Sequence, residues 1–164
     1  ILKNFLIPKS VNTKDKKIYV TRQDSSYRKI VNEADIVPVL RSKGYKVINP
    51  HLYEIDEQIR IFSQADKIIA PHGSNLSNII FCKPGTEIFE VGPKFENNYE
   101  KIFENRYKVL AEINNLKYKR LIADTVPVEH HSSVSNIYID PKILNNSNYY
   151  KNLILRISDL NNLE

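Results

Sequence analysis

Residues 67–92 read KIIAPHGSNLSNIIFCKPGTEIFEVG. A β-rich apolar run, 67–71, stops abruptly at Pro71-His72-Gly73. Small polar residues follow, then a second apolar run near 76–81, then a third β-rich run at 86–92. The pattern predicts strand, short helix, strand. Both strands are apolar at consecutive positions, so each must be covered on both faces, as in parallel sheets flanked by helices.

Working outward, the same alternation recurs. Upstream, 17–22 and 45–50 read as strands. Between them, 25–44 has Ile30, Val31, Ala34, Val37 and Leu40 near helical spacing, with Gly44 as a stop and Pro38 marking a kink or break. A helix over 54–64 carries Ile55, Ile59 and Phe62 on one side. Downstream, 97–115 reads as the longest helix and 117–123 as a fifth strand. A loop is expected over 124–135, a last strand over 136–140 and a closing helix over 141–160. The expected fold is α/β, a Rossmann-like domain with a mostly parallel sheet and helices on both faces.

Composition narrows the function classes. The chain has 164 residues, enough for one domain with a core that needs no staples. Hydrophobic residues at 41% and charged residues at 26% are ordinary for a globular protein, so disorder is not expected. Cys82 is the sole cysteine, which excludes an intrachain disulfide and a cysteine-based zinc site, and it reads as a core residue. No apolar run is long enough to cross a bilayer and no signal-peptide pattern opens the chain. P-loop, Gly-x-Ser-x-Gly and His-Glu-x-x-His motifs are absent, and no cofactor or metal is expected. His130-His131 reads as a solvated pair in a loop. The net charge of +5 is either a solvated surface or an attraction to something anionic. Ile1 opens the chain and methionine is absent, so a piece of a longer protein is expected.

In open parallel sheets, ligands bind outside the carboxyl ends of the strands. That edge should gather Thr21-Arg22, Asn49-Pro50-His51, Pro71-His72-Gly73 and Val91-Gly92. With Ser25 or Ser26 as N-cap, Arg28 falls in a first helical turn, where the macrodipole disfavours a cation unless an anion lies between them. Arg22 and Arg28 together can grip phosphate oxygens. Asn32 lies one turn further on, Glu33 is placed to brace an arginine, and both are expected among the ligand-binding residues. At the second segment, Gly73 permits close approach of a ligand, and Ser74, Asn75 and Ser77 can cap the helix that follows. His72 adds a donor near neutral pH. The bland alternatives are surface arginines and a histidine that closes a turn.

In order, Arg22, Arg28, Asn32-Glu33, Gly44-Tyr45, Glu57-Gln58, Ala65-Asp66, His72-Gly73, Asn78, Phe81, Pro84-Gly85-Thr86 and Glu90 make a pattern that resembles the C-terminal half of family 61 glycosyltransferases. The resemblance spans 22–91 and departs at Ser74-Asn75, where the family commonly has Ala-Gly. It implies half of a two-domain GT-B enzyme that binds a nucleotide-sugar donor, inverts the anomeric centre without an essential metal, and acts on a glycan or glycoconjugate, as in capsule or lipopolysaccharide synthesis. Arg22, Arg28, His72 and the amides of Gly73, Ser74 and Asn75 would then face the diphosphate, with His72 the catalytic candidate in this half. Asn78 and Glu90 would either hold nucleoside or sugar hydroxyls or support the loop. The implied partners are the donor, the acceptor and the N-terminal half of the parent enzyme, which would hold the general base; peripheral membrane association is included. The implied location is the cytoplasm or inner membrane face if bacterial, the Golgi or endoplasmic reticulum lumen if eukaryotic. A non-catalytic nucleotide- or protein-binding module is the alternative. A basic nucleic-acid binder is the third reading, but the dispersed tyrosines form no RNA platform, so no nucleic-acid partner is expected.

Overall fold

A computed structural model of the chain describes residues 16–93, 105–126 and 135–141. Five strands, β1 (Lys17–Val20), β2 (Lys46–Ile48), β3 (Lys67–Pro71), β4 (Glu87–Gly92) and β5 (Lys117–Ile122), form one sheet in the order β2-β1-β3-β4-β5. Every pairing in it is parallel. The fold is therefore α/β and Rossmann-like, as the alternating apolar runs predict. The first crossover runs one way across the sheet and the later ones the other way. Right-handed connections must then place helices on both faces.

Burial follows that rule. Helix α1 (Glu33–Ser42) buries Ile36 and Leu40 with Tyr19, Ile69, Phe89 and Val91 on one face. Helices α2 (Ile55–Gln64) and α3 (Arg106–Ile113), with a 3-10 helix over Ser74–Phe81, cover Ile18, Ile68, Ala70 and Ile88 on the other. Cys82 is fully buried in that second cluster. The strand residues alternate between the two clusters, which explains why each strand had to be apolar throughout.

Several expectations shift. The helix expected from residue 25 begins only at Glu33, with Asn32 as N-cap, and 23–32 form turns and bends. The apolar stripe on α1 moves accordingly, since Ala34 and Val31 are exposed. Pro38 lies inside α1 without splitting it. Ile55, expected on the buried side of α2, is 56% exposed. The short helix expected near 76–81 is a 3-10 helix that starts earlier, at Ser74, and the expected loop at 124–135 begins as strand β6 (Asp124–Val126), paired antiparallel with β7 (Asn136–Tyr138). His130-His131, residues 97–104 of the helix expected over 97–115 and all of the closing helix beyond Pro141 lie outside the described residues; the described remainder of 97–115 is helical over Arg106–Ile113.

Two helix ends show why specific residues stand where they do. Gly44 (φ 82°) follows α1 in a left-handed conformation, with Gly44 N–H donating to Arg41 O and Tyr45 N–H to Leu40 O. Asn115 (φ 54°) repeats the arrangement after α3 with Leu116 N–H on Ala111 O. Both are Schellman terminations that close the last carbonyls and aim the chain into the next strand. Pro84-Gly85-Thr86 closes the turn into β4: Gly85 is at φ 86°, and Thr86 Oγ1 donates to Ala65 O at 3.0 Å.

Candidate functional site at the carboxyl edge of the sheet

Parallel register brings the ends of β1, β3 and β4 to one edge. Arg22 leaves β1 there and folds back over the β3 turn. Its Nη2 donates to Ser25 Oγ at 2.8 Å and its Nε to Tyr27 O at 3.3 Å. The guanidinium lies against the backbone of Gly73: a Cβ added there would stand 2.5 Å from Arg22 Cζ and closer still to Nη1. Gly73 is at φ 160°, extended backbone open to any residue, so glycine is required by space alone.

Arg28 does not sit in a helix. It occupies the left-handed region at φ 58° within the turn that follows β1. Its Nε is buried without a hydrogen-bond partner. Burial pulls the Arg28 guanidinium below its ordinary range, the charge of Arg22 lowers it further, and Arg106 acts in the same direction against Tyr107 and Glu90. Arg22 is likewise lowered by burial, with Tyr107 and Asp24 opposing. Guanidinium groups stay charged through such shifts. The result is that two cations, Arg22 and Arg106, repel the half-buried Arg28, which is costly unless an anion joins them.

The loop that carries Arg28 is clamped from a distant part of the chain. Lys29 N–H donates to Asn136 Oδ1, Val31 N–H to Ile137 O, and Ile137 N–H to Lys29 O. Asn32 completes the clamp, with Nδ2 donating to Ile139 O at 2.7 Å and Oδ1 accepting from Ile139 N–H at 3.2 Å. Glu33 does not brace an arginine. Its carboxylate accepts from Tyr19 Oη at 2.6 Å and Thr21 Oγ1 at 2.7 Å, tying α1 to the end of β1. Burial and then that carboxylate hold the Tyr19 phenol far above its usual range. Asn32 and Glu33 therefore shape the loop while Arg22 and Arg28 remain at the edge.

At the β3 turn, His72 is 2% exposed and Glu90 fully buried, with His72 Nδ1 and Glu90 Oε1 2.5 Å apart. Tyr118 Oη donates to Glu90 Oε2 at 2.7 Å, and Arg120 Nε stands 3.4 Å from Oε1. The His72 ring meets Tyr107 edge-on, centroids 5.3 Å apart. Tyr107 is hydrogen-bonded to Ser77 and Arg106, so the start of α3 closes the site. Gly73 caps the 3-10 helix with no side-chain cap bond, contrary to the capping role expected of Ser74, Asn75 and Ser77. Ser74 is exposed, and Asn75 is buried with Nδ2 unpartnered. Asn78 turns away: its Nδ2 donates to Gln58 Oε1 at 2.9 Å, fastening the 3-10 helix to α2. At the end of β2, Asn49 Nδ2 donates to Asp24 Oδ2 at 3.3 Å, with His51 Nε2 3.9 Å away.

Arg106, Tyr107, Tyr118 and Arg120 were missed by sequence reasoning. The signal for Arg120 lay in strand register, since β4 and β5 pair Glu90 directly with Arg120. An acid in an otherwise apolar strand beside a basic residue in the next is a pairing that can be sought from sequence. Among the described residues, no three His, Cys, Asp or Glu side chains cluster as a metal site would require, and no helix is long and apolar enough to cross a membrane.

The family model described as Glycosyltransferase 61 matches residues 2–89, more than half of the chain. The chain belongs to glycosyltransferase family 61. An EGF domain-specific O-linked N-acetylglucosamine transferase from Gallus gallus is 30% identical to it over 112 residues, which cover 64% of this chain. The match spans 20% of that relative, so the chain corresponds to about a fifth of the relative's length. The family 61 match ends within β4, just short of Glu90, and leaves out Arg106, Arg120 and the 136–139 clamp.

One prediction separates support from contact in this family 61 chain. Asn78→Ala should lower unfolding stability by about 1 kcal/mol, the usual worth of such a hydrogen bond, in a urea titration. The contacts of Arg22 and His72 at the carboxyl edge should not change, because the Asn78 amide faces α2.

Proposed function

We propose that this chain is the donor-binding, Rossmann-like half of a two-domain GT-B glycosyltransferase. In this reading it takes a nucleoside-diphosphate sugar and serves inverting, metal-independent transfer to a glycan or glycoconjugate. The observation that carries the reading is the buried, unpartnered Nε of Arg28 within a group of three arginines at the carboxyl edge. A buried donor left open costs about 1–3 kcal/mol, and an oxyanion is the ligand that recovers it best. Asn75 Nδ2 is a second buried donor without a partner. The N–H groups of Ser74 and Asn75 precede the first 3-10 bond, which runs from Leu76 N–H to Gly73 O. Transfer breaks the bond from the anomeric carbon to the diphosphate, and negative charge grows on the leaving oxygens. Arg22, Arg28 and Arg106 supply fixed positive charge there, without reorganisation at the moment of reaction. His72, beside Gly73, is the catalytic candidate on the leaving-group side.

The name of the Gallus gallus relative supports an N-acetylglucosamine donor. The N-terminal half of the parent enzyme then supplies the acceptor side and the general base. Capsule or lipopolysaccharide synthesis at the inner membrane face and O-glycosylation in a secretory lumen are the two settings that fit the family.

A calorimetric screen of nucleotide sugars, with and without divalent cation, tests the proposal. One diphosphate nucleotide should bind best, and it should bind without metal. Arg22→Ala should weaken that binding by about 1.5–3 kcal/mol, the range for hydrogen bonds to charged groups. Unchanged affinity in the variant would refute the site. Tight binding with no turnover in the full-length protein would favour a non-catalytic nucleotide module instead.

A further inference from the structure

Glu90 is fully buried in the middle of β4, flanked in register by Ala70 and Arg120. A carboxylate taken out of water is tolerated only when its lone pairs are met. Here Tyr118 Oη and Arg120 Nε approach it from β5, while Arg120 Nη2 is itself held by Pro93 O at 2.6 Å. Gly92 leaves the room this needs: a Cβ there would stand 3.1 Å from Arg120 Nη2 and 3.2 Å from His72 Cβ. With two other donors already on it, the carboxylate acts as acceptor toward the imidazole, so the proton between them belongs on His72 Nδ1. Nε2 then lies on the far side of the ring from Glu90.

Position decides what Nε2 can serve. In a direct displacement that inverts the anomeric carbon, the attacking hydroxyl and the leaving oxygen lie on opposite sides of that carbon. His72 precedes the residue against which Arg22 packs, which puts it with the leaving group. We propose that Glu90, braced by Tyr118 and Arg120, is a positioning residue that holds the His72 imidazole between two anions, its own carboxylate at Nδ1 and the donor's diphosphate at Nε2, so that donor binding draws a proton onto the ring. The inference rests on the donor site proposed above. In the transfer step the acceptor oxygen forms its bond to the anomeric carbon and gives its proton to a general base on that far side. The bond to the diphosphate breaks with its electron pair on the leaving oxygen, where the Nε2–H hydrogen bond strengthens as charge accumulates.

Among the described residues, Glu90 on β4 meets His72 Nδ1 and Tyr107 on α3 meets its ring; around these two stand Tyr118 and Arg120 on β5, Arg106 on α3 and Arg28 in the loop after β1, with Arg22 against the neighbouring Gly73. The arginines keep their charge. Burial raises the Tyr107 phenol, which therefore stays neutral. Neither supplies the change in protonation.

The test is calorimetry of UDP, GDP, CDP and ADP, tried in turn, in buffers of different ionisation enthalpy. At about pH 8, where the nucleotide's own terminal phosphate is already deprotonated, binding should take up about one proton per nucleotide. Wild-type affinity should correspondingly fall by up to about tenfold per pH unit on the alkaline side. His72→Gln should abolish the uptake. Glu90→Gln should cut it by at least about half and flatten the pH profile, because the neutral amide no longer favours a charged ring. Tyr118→Phe, which keeps the carboxylate, should retain the uptake. If Glu90→Gln fails to fold on a thermal melt, His72→Gln and the wild-type pH series carry the test alone. Arg28-dependent binding with no proton uptake, or with uptake that survives His72→Gln, would overturn the positioning role and leave the donor site standing. Wild-type protein that binds no nucleotide, or binds regardless of Arg22 and Arg28, would overturn both.

Discussion

Arg28→Ala is expected to weaken nucleoside-diphosphate binding by about 1.5–3 kcal/mol, or roughly ten- to a hundredfold or more, while leaving the free protein at least as stable. The two halves of that expectation have one cause. In the free chain Arg28 contributes an unpartnered buried Nε, a left-handed backbone at φ 58° and repulsion from Arg22 and Arg106. Removing the side chain relieves the first and third of these. Only a bound anion turns the same features into favourable interactions. Titration calorimetry reads the affinity and a denaturant series reads the stability. A variant that unfolds more easily and binds as well as the parent would mean that Arg28 serves the fold and not the ligand. Arg28→Gly should gain further stability, since glycine adopts the left-handed region without penalty.

The second large effect is expected from Gly73→Ala. The added methyl would overlap the Arg22 guanidinium. The backbone at Gly73 is extended and the obstacle is the end of a flexible side chain, so Arg22 yields and the fold does not. Arg22 then loses its seat against the β3 turn, together with its bonds to Ser25 and Tyr27. Nucleotide affinity should drop by about 1.5–3 kcal/mol, as for loss of Arg22 itself, with little change in melting temperature. The double variant Arg22→Ala/Gly73→Ala should be no worse than Arg22→Ala alone, because both act through one side chain. Additive losses would show that Gly73 contacts the ligand independently.

The sheet was legible because its strands are short, β-rich and apolar on both faces, a pattern with few other uses. Arg22, His72 and Gly73 were legible because a strand's carboxyl end is a place the chain must reach whatever the loops do. The loop after β1 was not. Ser25 looks like an N-cap, but its hydroxyl accepts from Arg22, so the helix waits until Asn32. Asn32 and Glu33 look like ligand contacts because polar side chains near a predicted site invite that reading. Their partners, Ile139, Tyr19 and Thr21, are set by tertiary packing that local spacing does not encode. Glu90 was seen in the sequence without its partners. Those partners depend on how β5 aligns with β4, and a one-residue slip would have turned Arg120 to the opposite face.

The clamp of residues 136–139 on the loop at 29–32 ties the donor edge to chain more than a hundred positions away. If this edge grips a diphosphate as proposed, selection or engineering can retune that grip without touching an arginine, by adjusting the tether at Asn136 or Ile139. An expression fragment cut after β5 would keep all five parallel strands and still present a loosened, weaker grip.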